Sequence, residues 1–176
     1  LTGAIVYVFS YDSNGYLTQV TDGDGNITTI ERDGDSLPTT LVSTDGQRTD
    51  LSLDANGFLA AINNPAAETT AFTYSVDGLL TSLEDPRNGT SIMTYDAMGR
   101  LAYDENAEGG FWDVTRSELD NGYEVTMTSA EGRATVRRVE VLANDDQRRL
   151  TTTPFGTQIE TIRGTDEIDV TFMPDG

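Results

Sequence analysis

The residue types that usually do chemistry are scarce in this chain of 176 residues. It has no His, which removes the usual general base, proton shuttle and metal ligand. It has no Cys, so neither thiolate chemistry nor a disulfide is available. Carboxylates are what remains. "DGDGN" (Asp22, Asp24, Asn26) has the opening spacing of a calcium loop, but the sixth position is Ile27 and the twelfth is Asp33, where a full loop needs Gly and Glu. A turn is the better reading. Asp145 with Asp146, and Glu167 with Asp169, are the acid–base pairs that spacing allows. Both lie in Gly-, Asn- or Asp-rich stretches that read as solvated turns. Arg137–Arg138 and Arg148–Arg149 could hold an anion, but acidic neighbours would neutralise them. No G-x-S-x-G nucleophile motif is present. The expectation is a protein that is not an enzyme, with no catalytic residue, no metal and no cofactor.

Charge narrows the partners. Thirty acidic residues face 11 basic ones, all Arg, for a formal charge of −19. Such a surface repels nucleic acid and anionic lipid. No apolar run approaches the length of a membrane-spanning helix, so neither nucleic acid nor membrane insertion is expected. The length suits one domain with a core of its own, or a piece of something larger. The chain opens on Leu1 and its pattern still runs at "MPDG" (Met173 to Gly176), which reads as a fragment.

What organises the chain is a repeat. "YDSNGYL" carries Tyr11, Asp12, Gly15 and Leu17; "LDANGFL" carries Leu53, Asp54, Gly57 and Leu59. "YSVDGLL" carries Tyr74, Gly78 and Leu80, and "YDAMGRL" carries Tyr95, Asp96, Gly99 and Leu101. A looser copy at "RDGDSL" offers Asp33, Gly34 and Leu37. The leucines at 17, 37, 59, 80 and 101 advance in steps of 20, 22, 21 and 21, the mark of an array. Second turns lie between these motifs, at "DGDGN", "TDGQ", "NNPAAE", "EDPRNG" and "NAEGG", so a turn signal recurs every 10 or 11 residues. The stretches between have the length, the Thr, Val, Ile, Tyr and Phe content and the alternation of strands. "YVFSY" puts Tyr7, Phe9 and Tyr11 on one face. Each unit therefore reads as strand, turn, strand, turn. Gly recurs where the turn needs positive φ, and Tyr and Leu recur on a face to be buried. The Tyr column (Tyr11, Tyr74, Tyr95) reads as a packed ladder, with a glycan-stacking platform as the rival. Beyond residue 110 the turn rhythm continues through "LDNG", "AEGR", "ANDD", "PFG", "GTDE" and "PDG". "ENAEGGFWDVTR" (Glu105 to Arg116), with the only Trp, is the place for a local break.

The motif "YDAMGRL", repeated five times at this spacing over residues 7–110, resembles the Rhs/YD-repeat family. The resemblance implies an all-β fold: antiparallel β-hairpin repeats of about 21 residues in a spiralling, curved sheet, a segment of a hollow shell. Residues 1–110 would be regular repeats, and 111–176 degenerate repeats continuing the same sheet without a domain boundary. In bacterial toxin complexes and Rhs toxins such shells enclose a toxin domain, and in teneurins a related shell serves adhesion. The implied function is a stretch of shell wall in a large secreted or cell-surface protein. Its partners would be the rest of the same polypeptide and an enclosed toxin, with self-association through sheet edges. The alternative is a carbohydrate-binding or adhesion module. Asp85–Pro86 is similar to the Asp-Pro of the Rhs cleavage site, but the surrounding motif is missing and an ordinary turn is the better reading.

Overall fold

The computed structural model describes residues 6–174, and every regular element among them is a β-strand. The residues group into two compact units, Leu1–Thr90 and Ser91–Gly176. The first holds β1 (Tyr7–Tyr11), β2 (Leu17–Asp22), β3 (Ile27–Arg32), β4 (Pro38–Val42), β5 (Arg48–Leu53), β6 (Leu59–Asn63), β7 (Thr69–Tyr74) and β8 (Leu80–Glu84). Each pairs antiparallel with the next in chain order. The second holds β9 (Thr90–Tyr95), β10 (Leu101–Glu105), β11 (Phe111–Leu119), β12 (Gly122–Ser129), β13 (Ala134–Val141), β14 (Gln147–Thr152), β15 (Gln158–Arg163) and β16 (Asp169–Phe172), again antiparallel in chain order.

One loop, used over and over, sets this order. In the first unit it opens at Asp12, Asp22, Asp33, Ser43, Asp54, Asn64, Ser75 and Asp85, steps of 10 and 11 in alternation. The opening residue's N–H donates to the carbonyl four residues on, and its own carbonyl accepts from the N–H three residues on; for Asp12 these are 2.9 Å to Tyr16 and 3.1 Å from Gly15. That is a three-residue hairpin loop, a turn followed by one left-handed residue. The left-handed position is Gly15, Gly25, Ser36, Gly46, Gly57, Ala67, Gly78 and Asn88 in turn. The second unit uses the same loop at Asp96, Asn106, Ser129, Leu142, Thr153 and Gly164. Its one two-residue hairpin joins β11 to β12 at Asp120–Asn121, with Leu119 opposite Gly122.

Every second loop opens at a constant interval, at Asp12, Asp33, Asp54, Ser75 and Asp96. This corrects the looser copy. Gly34 is not the left-handed residue of its loop; Ser36 is, at φ 65°. The residue matching the repeat leucine is Pro38, paired with Arg32, and not Leu37. Pro fits there because the first residue of a strand tolerates it. The uneven steps of 20 and 22 between the leucines come from that one substitution.

Every second strand up to β10 carries a bulge, and the pairings from β11 to β16 run without one. Between the pairs Tyr11–Leu17 and Ser10–Gln19, Thr18 has no partner across the ladder, and Thr39, Ala60, Thr81 and Ala102 occupy the same place. Leu17 and Thr21 stand four residues apart, which would put them on one face. The extra residue moves Thr21 to the other face and keeps alternation in phase. One face then collects Phe9, Val20, Ile30, Leu41, Leu51, Ile62, Phe72 and Leu83, all in direct cross-strand pairs or rows. The other collects Ser10, Gln19, Glu31, Thr40, Asp50, Ser52 and Thr73.

Two expectations fail here. Among the described residues no hydrophobic side chain is buried; only Thr40 and Glu140 are. The apolar face exists, but no second layer of these residues covers it. Nor does "ENAEGGFWDVTR" break the fold: Asn106 opens an ordinary loop and β11 runs unbroken from Phe111 to Leu119. The final turn signal, "PDG", lies in part outside the described residues.

Candidate functional site

The repeat motif becomes legible once its loop is laid out. Asp12, Asp54 and Asp96 each open a loop, and each does so with its carboxylate. Asp12 Oδ1 accepts from the N–H of Asn14 and of Tyr16, both at 2.9 Å. Asp54 does the same with Asn56 and Phe58, and Asp96 with Met98 and Arg100. The motif's Asp thus satisfies two N–H groups that the tight turn leaves without ladder partners. Where the position is Ser43 or Ser75, the shorter hydroxyl reaches only the second of the two. Gly15, Gly57, Gly78 and Gly99 hold the left-handed position at φ 87°, 84°, 81° and 76°. Tyr11 stands directly opposite Leu17, Leu53 opposite Leu59, Tyr74 opposite Leu80 and Tyr95 opposite Leu101. Tyrosine and leucine are therefore the pair that closes the hairpin.

The residue just before the closing leucine links successive repeats, which sequence reasoning missed. Phe58 packs on Tyr74 with ring centroids 5.2 Å apart. Tyr16 lies under the Arg32 guanidinium at 5.1 Å, and Arg32 also donates to the carbonyls of Ser36 and Leu17 at 2.9 and 3.2 Å. Both contacts reach from one repeat into the next. The signal was available: Tyr16 and Phe58 are aromatic at the same place in their repeats.

The carboxylates that spacing put forward for chemistry are occupied by structure. Asp22 accepts from Asp24 N–H, Asn26 N–H and the Asn26 side chain, each at 2.9 Å. These bonds, the Asn26 side chain first, hold its carboxyl below the usual range. Asp85 accepts from Gly89 and Arg87 N–H at 2.8 Å and is lowered for the same reason, so Asp85–Pro86 is an ordinary loop start. Asp96 is lowered by the Arg100 N–H and then by the Arg100 guanidinium at 2.8 Å. Asp145 and Glu167 hold left-handed loop positions, while Asp146 accepts from Asn144 Nδ2 at 2.7 Å. Arg138 and Arg148 converge on the buried Glu140, at 3.0 and 3.3 Å, and Arg148 also reaches Glu160 at 2.6 Å. Among the described residues no group of three or more His, Cys, Asp or Glu could hold a metal ion.

The teneurin YD-shell family model matches residues 1–169. The crystal structure of TcdB2-TccC3-TEV superposes with a TM-score of 0.50 at 14% identity, over 93% of this chain and 14% of that one; this likeness speaks to fold alone. TcdB2-TccC3-Cdc42 gives 0.46 at 14% identity, over 100% of this chain and 14% of that one. The Tc holotoxin pore of Photorhabdus luminescens gives 0.31 at 11% identity, over 97% and 13%. The chain thus spans about one seventh of the length of the solved chains it matches. No curated protein matches the sequence significantly.

Proposed function

This chain belongs to the teneurin YD-shell family, and from that premise we propose that it is a stretch of shell wall in a larger secreted or cell-surface protein, without catalytic activity of its own. The wall would enclose a toxin domain or other cargo. One observation carries the reading: an apolar face is built with strict register, yet no hydrophobic residue among those described is buried. Such a face gains from being covered. The terminal strands add to this. In β1 all five residues are exposed and none is charged, and in β16 all four are exposed. A strand paired on one side only is a template for another. In the whole protein the rest of the polypeptide would supply both the cover and the neighbouring strands. Residues 1–110 and 111–176 serve as regular and degenerate stretches of the same wall.

A second reading, a glycan-binding or adhesion module, draws on the exposure of Tyr7, Tyr11 and Tyr16. Sedimentation velocity at low and high salt separates the two. The wall reading expects self-association that grows with salt, as screening weakens the repulsion of a −19 chain. A monomer at every salt concentration, together with saturable glycan binding, would favour the module.

A further inference from the structure

The repeat register exposes one pair that departs from its own column. Counting repeat by repeat, the same position on the apolar face holds Val20, Leu41, Ile62 and Leu83, and then Asp104. The partner across the ladder to the next strand is Thr28 for Val20, Thr49 for Leu41 and Thr70 for Ile62. For Asp104 it is Trp112. An aliphatic–threonine pair has become a carboxylate beside the chain's only indole. Trp112 is 43% exposed, with Asp104 across the ladder on one side and Ser129 on the other. Together with Asn106, Phe111 and Glu131 these residues line a cavity of about 380 Å³, within the range of ligand pockets. Glu131 is paired with Arg133. The Asp104 backbone is held in the ladder between Met93 and Trp112, and among the described residues its carboxylate takes part in no ion pair or side-chain hydrogen bond.

We propose that the Trp112–Asp104 notch is a docking site for an arginine side chain of a partner polypeptide. The chemistry on both walls selects it. An indole face attracts a cation, and best of all a planar guanidinium that can stack on it. The carboxylate beside the ring accepts the guanidinium's N–H groups. An aliphatic residue at position 104, as in the other repeats, would offer neither. The net charge of −19 draws a cationic partner toward the surface.

Because Trp112 is the only tryptophan, its fluorescence reads the site directly. The chain is titrated with N-acetylarginine amide, and separately with N-acetylleucine amide and methyl β-glucoside. The expected result is a saturable change with the arginine amide alone. Asp104→Leu, which restores an aliphatic residue of the column, should weaken it about tenfold or more, as should high salt. Asp104→Asn, nearly the same shape, should weaken it likewise and guards against a fold defect in the leucine variant. An arginine response that is absent, or unchanged in both variants, would overturn the proposal. So would a saturable response to the glucoside or to the leucine amide in place of the arginine amide.

Discussion

Two glycines in the same loop position separate backbone strain from side-chain packing. Gly57 and Gly78 have nearly the same φ, 84° and 81°. A Cβ added at Gly57 meets nothing within 4 Å, whereas at Gly78 it meets Phe58 Cζ at 2.8 Å and Cε1 at 2.9 Å. Gly57→Ala should therefore cost only the left-handed conformation, about 1 kcal/mol. Gly78→Ala should cost that and also displace a ring held on Tyr74, a contact worth about another 1 kcal/mol. At about 2–4 °C per kcal/mol for a chain of this size, the melting temperatures followed by circular dichroism should differ clearly. Phe58→Ala makes the test sharper. In that background Gly78→Ala should cost no more than Gly57→Ala does in the unaltered chain, giving a coupling of about 1 kcal/mol between positions 58 and 78. Equal costs for the two glycines, or no coupling, would refute the account of the inter-repeat contact.

Acid should loosen the loops. The Asp22, Asp85 and Asp96 carboxyls are held below their ordinary values, so their contribution is present above the unfolded value of about 3.9 and is lost as pH falls through the lower folded ones. Asp96→Asn keeps the Oδ1 acceptor and removes the titration; its melting temperature should fall less than the parent's below pH 4, and superimposable profiles would count against the loop role. At Gly122 a Cβ would run into the Val139 carbonyl across the ladder. Gly122→Ala should destabilise the β11–β12–β13 region by about 3 kcal/mol or more, read as a loss of amide-exchange protection there, and an unchanged pattern would disprove the close approach.

Much of this was legible because it is local. A carboxylate that caps its own turn and a glycine that supplies positive φ act within a single loop, so their spacing alone announces the loop, the strand length and the period. The first loop of each repeat could be found from Asp12, Asp54 and Asp96 without any knowledge of what packs where. The same locality misled at "RDGDSL", where Gly34 looked like the turn glycine and the chain instead puts Ser36 into the left-handed region. Ala67, Asn88, Asp145 and Glu167 do likewise. Nothing in their side chains demands it. The flanking ladder bonds fix the loop length, and the residue that falls on the fourth position must comply.

The amino-acid order by itself determined that the chain is β, that it repeats, and that Asp12, Asp54 and Asp96 open turns. Only the tertiary structure decided which side chains meet. The bulges at Thr18, Thr39, Ala60, Thr81 and Ala102 shift the alternation by one in β2, β4, β6, β8 and β10. A face read from strict period two therefore goes wrong after each of them. Only the settled register brings Phe58 onto Tyr74 and Asp104 beside Trp112. The absence of a buried core was illegible for a related reason. A sequence records that a face is apolar, but burial depends on a second layer, and among the described residues none is there to exclude water.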